Sequence, residues 1–186
     1  MSKSEEETWV LRTDQLRCLV SAVRTDIVDQ LAGRGPMSIK ELATAIGKRP
    51  SALYHHIDQL LEVELVREAG ARVVNRKQEK LYATPSRRIR LKPALARPEN
   101  AEVMAEIVSA LARQADRDFS KGQYVQDAKV EGVERNLGFF RLVAKPGPEK
   151  LARINALLDE IGEIMWEDAE EVFPAVTLTW FMAPSE

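Results

Sequence analysis

Met37-Ser38-Ile39-Lys40-Glu41-Leu42-Ala43, followed by Pro50-Ser51-Ala52-Leu53-Tyr54-His55-His56-Ile57-Asp58-Gln59-Leu60-Leu61, is the stretch that decides the fold. Ser38 and Glu41 stand three residues apart ahead of an apolar run, the pattern of a capping box. The Ser38 hydroxyl can accept from the Glu41 amide, and the Glu41 side chain can reach back. The short helix they open turns Leu42, Ala43 and Ile46 inward and stops at Gly47. Pro50 suits the first turn of the next helix, where its missing N–H costs nothing. Leu53, Ile57, Leu60 and Leu61 then form one apolar stripe.

Two short helices joined by Gly47-Lys48-Arg49 make a helix-turn-helix pattern. Upstream, Leu16, Leu19, Val20, Val23, Ile27 and Leu31 recur at helical steps. They predict a helix from about Thr13 to Ala32, breaking near Val20–Ser21 and stopped by Gly33-Arg34-Gly35-Pro36. Downstream, Leu65 to Ala69 and Lys80 to Pro85 read as two strands around a basic loop, a hairpin. The proline-punctuated segment from Arg87 to Pro98 reads as a linker. Asn100 is expected to cap a helix running to about Phe119, and Glu149 to about Val172 to form a second long one. Phe139–Ala144 and Val176–Met182 read as short strands.

The chain has 186 residues, enough for one domain or a small domain with an extension. Its net charge of −2 conceals a strong asymmetry. Residues 66–97 hold ten Lys and Arg against two Glu, while residues 98–186 hold nine against seventeen Asp and Glu. A segment of +8 in a nearly neutral chain points to an anionic partner. The single cysteine, Cys18, excludes an internal disulfide framework and a cysteine-rich zinc site. The acidic opening residues do not read as a secretory signal, and no apolar run approaches the ~20 residues that span a bilayer. A cytoplasmic protein with no membrane association is expected.

Residues 16–85 resemble the winged helix-turn-helix domain of the ArsR-like superfamily of bacterial and archaeal transcription regulators. The resemblance rests on Met37–Ala43, Pro50–Leu60, Glu64-Leu65-Val66 and a basic wing closing on Leu81-Tyr82-Ala83-Thr84-Pro85. It implies a fold of the α+β class, mainly helical. A winged helix-turn-helix DNA-binding domain is expected over residues 12–92. A C-terminal helical region with two short strands is expected over 98–186, serving dimerisation and, on one reading, an effector. The sequence departs from the family at two places. Glu64 stands where glycine usually ends the second helix in the left-handed region, at a cost of about 1 kcal/mol or a changed cap. The helix corresponding to Leu42–Ile46 lacks the cysteines of metal-sensing members, so no metal and no cofactor are expected.

The expected function is sequence-specific binding of double-stranded DNA by a homodimer that regulates transcription. In this motif the N-terminal part of the second helix reaches base edges. At 100° per residue Ser51, Ala52, His55 and Gln59 fall opposite the apolar stripe, with Tyr54 at its flank. These are the candidate readers. Arg72, Arg76, Lys77 and Lys80 on the wing, with Lys48 and Arg49 beside the helix, are the candidate phosphate contacts. His56 sits at the edge of the apolar stripe and is read as a packed, hydrogen-bonded core residue. Arg87, Arg88, Arg90 and Lys92 either extend the DNA footprint or pair with the acidic half. Candidate dimer contacts are Leu16, Leu19 and Val23, and the near-heptad series Leu151, Ile154, Leu158, Ile161 and Met165. A core role for that series and a ligand pocket lined by C-terminal aromatics are the competing uses. No catalytic Ser/His/acid set, phosphate-cradling glycine loop or ligand cluster is visible, so no enzyme is expected. The rival reading is a winged-helix module that binds protein without specific DNA recognition.

Overall fold

The computed structural model describes residues 7–10, 12–167 and 175–184. The chain divides into two compact units, Met1–Ala112 and Arg113–Glu186. The boundary expected near residues 93–97 therefore moves into a helix.

In the first unit the predicted N-terminal helix is two, α1 (Thr13–Leu19) and α2 (Ala22–Arg34), broken at Val20–Ser21 as the sequence indicated. The break is chemically sealed. A helix end leaves carbonyls without partners. Here Arg24 Nε donates to the Cys18 carbonyl at 2.5 Å and Thr25 Oγ1 to the Leu19 carbonyl at 2.9 Å. Both donors come from the first turn of α2. Gly35, at φ of 82°, ends α2.

Strand β2 (Met37–Ser38) leads directly into α3 (Ile39–Ala45). The capping box forms: Glu41 N donates to Ser38 Oγ at 3.3 Å, and Ser38 N to Glu41 Oε2 at 2.8 Å. The next helix does not begin at Pro50 as one continuous α-helix. A single tight helical turn, Pro50–Ala52, precedes α4 (Tyr54–Glu62), and Leu53 between them is fully buried. Leu16, Ile27, Leu31, Leu42, Leu53, Ile57, Leu60 and Leu65 form the fully buried centre of the unit.

The wing is longer than the sequence indicated. Strands β3 (Arg67–Val74) and β4 (Lys77–Ala83) run antiparallel almost to their junction, with β2 on the other edge of β4. The stretch read as a basic loop is mostly strand. Only Asn75 (φ 50°) and Arg76 (φ 63°) turn, both left-handed, which is the two-residue hairpin form whose twist matches the strands. A bulge at Ala69–Gly70 shifts the register between Glu68↔Tyr82 and Ala71↔Lys80.

The segment read as a linker is structured. Strand β5 (Arg88–Arg90) pairs in parallel with β1 (Glu7–Trp9), and α5 (Lys92–Leu95) buries Ala94 completely. Asn100, 2% exposed, donates its amide to the Ala94 carbonyl at 3.1 Å, so its side-chain N–H serves this turn. Helix α6 (Ala101–Gly122) follows. Its Val103, Met104 and Ile107 join the core cluster, which is why the first unit extends to Ala112.

The second unit holds the end of α6, a polar turn closed by Asn136, and α7 (Pro148–Trp166). Neither expected strand forms: 139–144 and 176–182 are irregular. A strand needs a neighbouring backbone to bond, and neither segment has one among the described residues. Helix α7 ends at Trp166, short of the expected Val172; residues 168–174, including Val172 and Phe173, lie outside the described part. No described side chain of α7 is buried. Leu151, Ile154, Ile161 and Met165 are 38%, 40%, 38% and 49% exposed, and Leu158 is half-buried. Among the described residues, then, this stripe is not packed as an internal core. The opposite holds for α1: Leu16 and Leu19 are 0% and 4% exposed. Fully packed within one chain, they have no surface left to offer a second, which corrects their assignment to a dimer contact. Val23 is partly buried against the same core.

Candidate nucleic-acid interface

Leu53, Ile57 and Leu60 fix α4 to the core and thereby set which side faces out. Ser51 and Ala52, on the turn before α4, are exposed together with Tyr54 and His55. They form one continuous edge at the start of the helix. Asp58 and Glu62 are further along. Two carboxylates there repel phosphate, so contact is favoured at the N-terminal end.

Two residues of the helix face inward more than the sequence indicated. Gln59 is half-buried, and its Oε1 accepts from Arg24 Nη1 at 2.6 Å. His56 is half-buried, with its ring 6.1 Å from that of His55. The packed role expected for His56 is found without the hydrogen bond, since its buried Nδ1 has no partner among the described residues. Burial, and then the neighbouring charges of Arg24, His55 and Lys48, hold its pKa below the ordinary histidine value. Both effects favour the neutral imidazole.

The wing cations divide into two kinds. Arg72 binds Glu41 at 2.6 Å and lies 3.7 Å from Glu79, while Lys80 binds Glu68 at 2.7 Å. These pairs tie the wing to α3 and β3 to β4. Arg76 and Lys77, at the tip, are exposed and have no ion pair among the described residues. Lys48 and Arg49 are exposed on the turn between α3 and α4. Arg87, Arg88 and Arg90 are half-buried and already engaged, so they are not open cations.

The clamp on the far end of α4 was not legible in the sequence. Glu64 keeps the left-handed conformation, at φ of 60°, that glycine usually takes there. Arg12 Nη1 donates to Glu64 Oε2 at 2.7 Å and Nη2 to the Val63 carbonyl at 3.0 Å. Gln15 Nε2 donates to the same carbonyl at 3.0 Å. The start of α1 thus holds the end of α4, which offsets the backbone cost of a side chain at this position. The departure from glycine was the visible signal; the partner lies 52 residues away.

A tri-helical core, a helix seated by its own apolar stripe and a three-stranded wing define a winged helix-turn-helix fold. Residues 19–69 match the family described as a helix-turn-helix domain, and the chain carries that domain. No curated protein matches the sequence. Among solved structures, the chain is similar to a mutant of Lactococcus lactis ZitR in its apo form. The identity is 13%, with 78% of this chain and 83% of that chain covered and a TM-score of 0.30. It is also similar to RV1404 from Mycobacterium tuberculosis at 17% identity, with 88% and 97% covered and a TM-score of 0.27. No helix among the described residues is long and apolar enough to cross a membrane. No group of three or more His, Cys, Asp or Glu side chains among them is placed to hold a metal ion.

Proposed function

We propose that the protein is a cytoplasmic, non-catalytic transcription regulator that binds double-stranded DNA sequence-specifically as a homodimer. Helix α4 enters the major groove with Ser51, Ala52, Tyr54 and His55 at the base edges. Lys48, Arg49, Arg76 and Lys77 take the flanking phosphates, and the apolar stripe of α7 joins two copies. The observation that carries the reading is the pairing of two features on one unit: an exposed, non-acidic edge at the start of α4, and wing-tip cations without an ion pair among the described residues.

The test is a salt titration of duplex binding. Replacing Arg76 by Gly and Lys77 by Ala should weaken all sequences alike. Without these two phosphate-binding cations, the slope of log K against log salt should flatten by about two units. Arg76→Gly alone should also raise the melting midpoint, because glycine adopts the left-handed turn position without the cost of a Cβ. Higher stability with weaker binding separates a DNA role from a structural one. Duplex binding that ignores salt would favour a protein-binding module instead.

His55→Ala tests the reading edge. Removing a base contact costs about 1–3 kcal/mol and relaxes preference at one operator position. Selection of bound sequences from a random pool reads this directly. An unchanged preferred sequence contradicts the assigned edge.

A further inference from the structure

An open, solvent-facing cavity of about 490 Å³ on the surface of the first unit lies against α1, α2 and the first turns of α6. That volume lies in the range of small-molecule sites, about 300–1,000 Å³. Its wall is chemically divided. Arg17 and Arg24 supply two cations, Glu102 and Glu106 two carboxylates, and Val20 and Val103 an apolar side. Glu102 and Glu106 are one helical turn apart and so share a face of α6. None of these four charges forms an ion pair with another, or with any other described residue. Arg17, Glu102 and Glu106 are exposed, so only water compensates their charges and they remain open to a ligand.

Arg24 is the informative member. It is half-buried, and a charge removed from water without a counter-charge is costly. Its Nε is spent on the Cys18 carbonyl and its Nη1 on Gln59 Oε1. Nη2 has no acceptor among the described residues. A guanidinium in this state is ready to take a carboxylate oxygen, for which its planar fork is suited.

We propose that this cavity binds a small zwitterion, an amino acid with a short apolar side chain. The ligand carboxylate would lie between Arg17 and Arg24, its ammonium against Glu102 and Glu106, and its side chain on Val20 and Val103. A simple carboxylate leaves the two glutamates unmatched, and a simple amine leaves the two arginines unmatched. Arg24 holds Gln59 on α4 through Nη1, so a carboxylate that takes Nη1 as well as Nη2 competes with the Gln59 contact. Occupancy would thereby change how α4 is seated. This consequence rests on the reading of α4 as the DNA-contacting helix; binding itself does not.

The experiment is calorimetric titration of the full chain with L-valine, with isovalerate, which lacks the amine, and with isobutylamine, which lacks the carboxylate. L-Valine is expected to bind, with each of the other two at least about tenfold weaker. Glu106→Gln and Arg17→Gln change exposed side chains without ion-pair partners, so the fold is retained. Each should weaken L-valine binding by at least about tenfold. The proposal is overturned if L-valine gives no binding to a folded protein, if the two half-ligands bind as well as it does, or if both variants bind it unchanged. Duplex binding is measured on the same preparation. Its absence beside intact L-valine binding strikes the DNA reading alone, whereas its presence without L-valine binding strikes the site alone.

Discussion

Leu53→Ala is expected to destabilise the first unit by about 2–5 kcal/mol and to abolish tight duplex binding with it. Leu53 is 0% exposed and sits between the Pro50–Ala52 turn and α4. Its carbonyl accepts from Ile57 N at 2.9 Å, so it also begins the helix. Truncation to alanine opens a cavity under the turn that carries Ser51, Ala52, Tyr54 and His55. Single domains hold only about 5–15 kcal/mol in total, so the loss is a large share. A urea titration should show a lower midpoint with an unchanged slope. An unchanged midpoint would mean that this turn is not seated by Leu53.

Replacing Ile154 and Ile161 together by Glu should weaken self-association at least about 100-fold, a loss of about 3 kcal/mol. The two side chains are 40% and 38% exposed in the single chain, so the helix itself tolerates the change. In a two-fold interface each charge meets the same apolar stripe of the other copy. Sedimentation should show monomer, and circular dichroism the helical content of the parent. A variant that still sediments as a tight dimer would move the interface off α7. A cut after Gly122 keeps the whole of α6 with the first unit. A cut after Pro98 removes Val103, Met104 and Ile107 from the core of the first unit.

Local chemistry was legible in the sequence because it acts over a few residues. The capping box at Ser38 and Glu41 needs only a spacing of three, and it forms. The break at Val20–Ser21, the seat of α4 and the hairpin follow from periodicity and turn residues in the same way. The wing's length was not legible, since polar, basic strands facing water have no alternating pattern to show. The strands expected at 139–144 and 176–182 fail for the converse reason: their composition suits a strand, but no neighbour pairs with them among the described residues.

The candidate site divides along the same line. The sequence placed Ser51, Ala52, Tyr54 and His55 on one outer edge, because a helix bearing the stripe Leu53, Ile57, Leu60 must turn them out. It placed four cations on the wing, but charge alone does not say which are spent. Only the tertiary fold pairs Arg72 with Glu41 and Lys80 with Glu68, and leaves Arg76 and Lys77 at the tip. Only the fold joins Arg24 to Gln59 and Arg12 to Glu64, across 35 and 52 residues. The same packing closes Leu16 and Leu19 into the core and leaves the α7 stripe open. A periodic apolar face states that something must cover it. Whether that is the same chain or another is decided by where the rest of the chain runs.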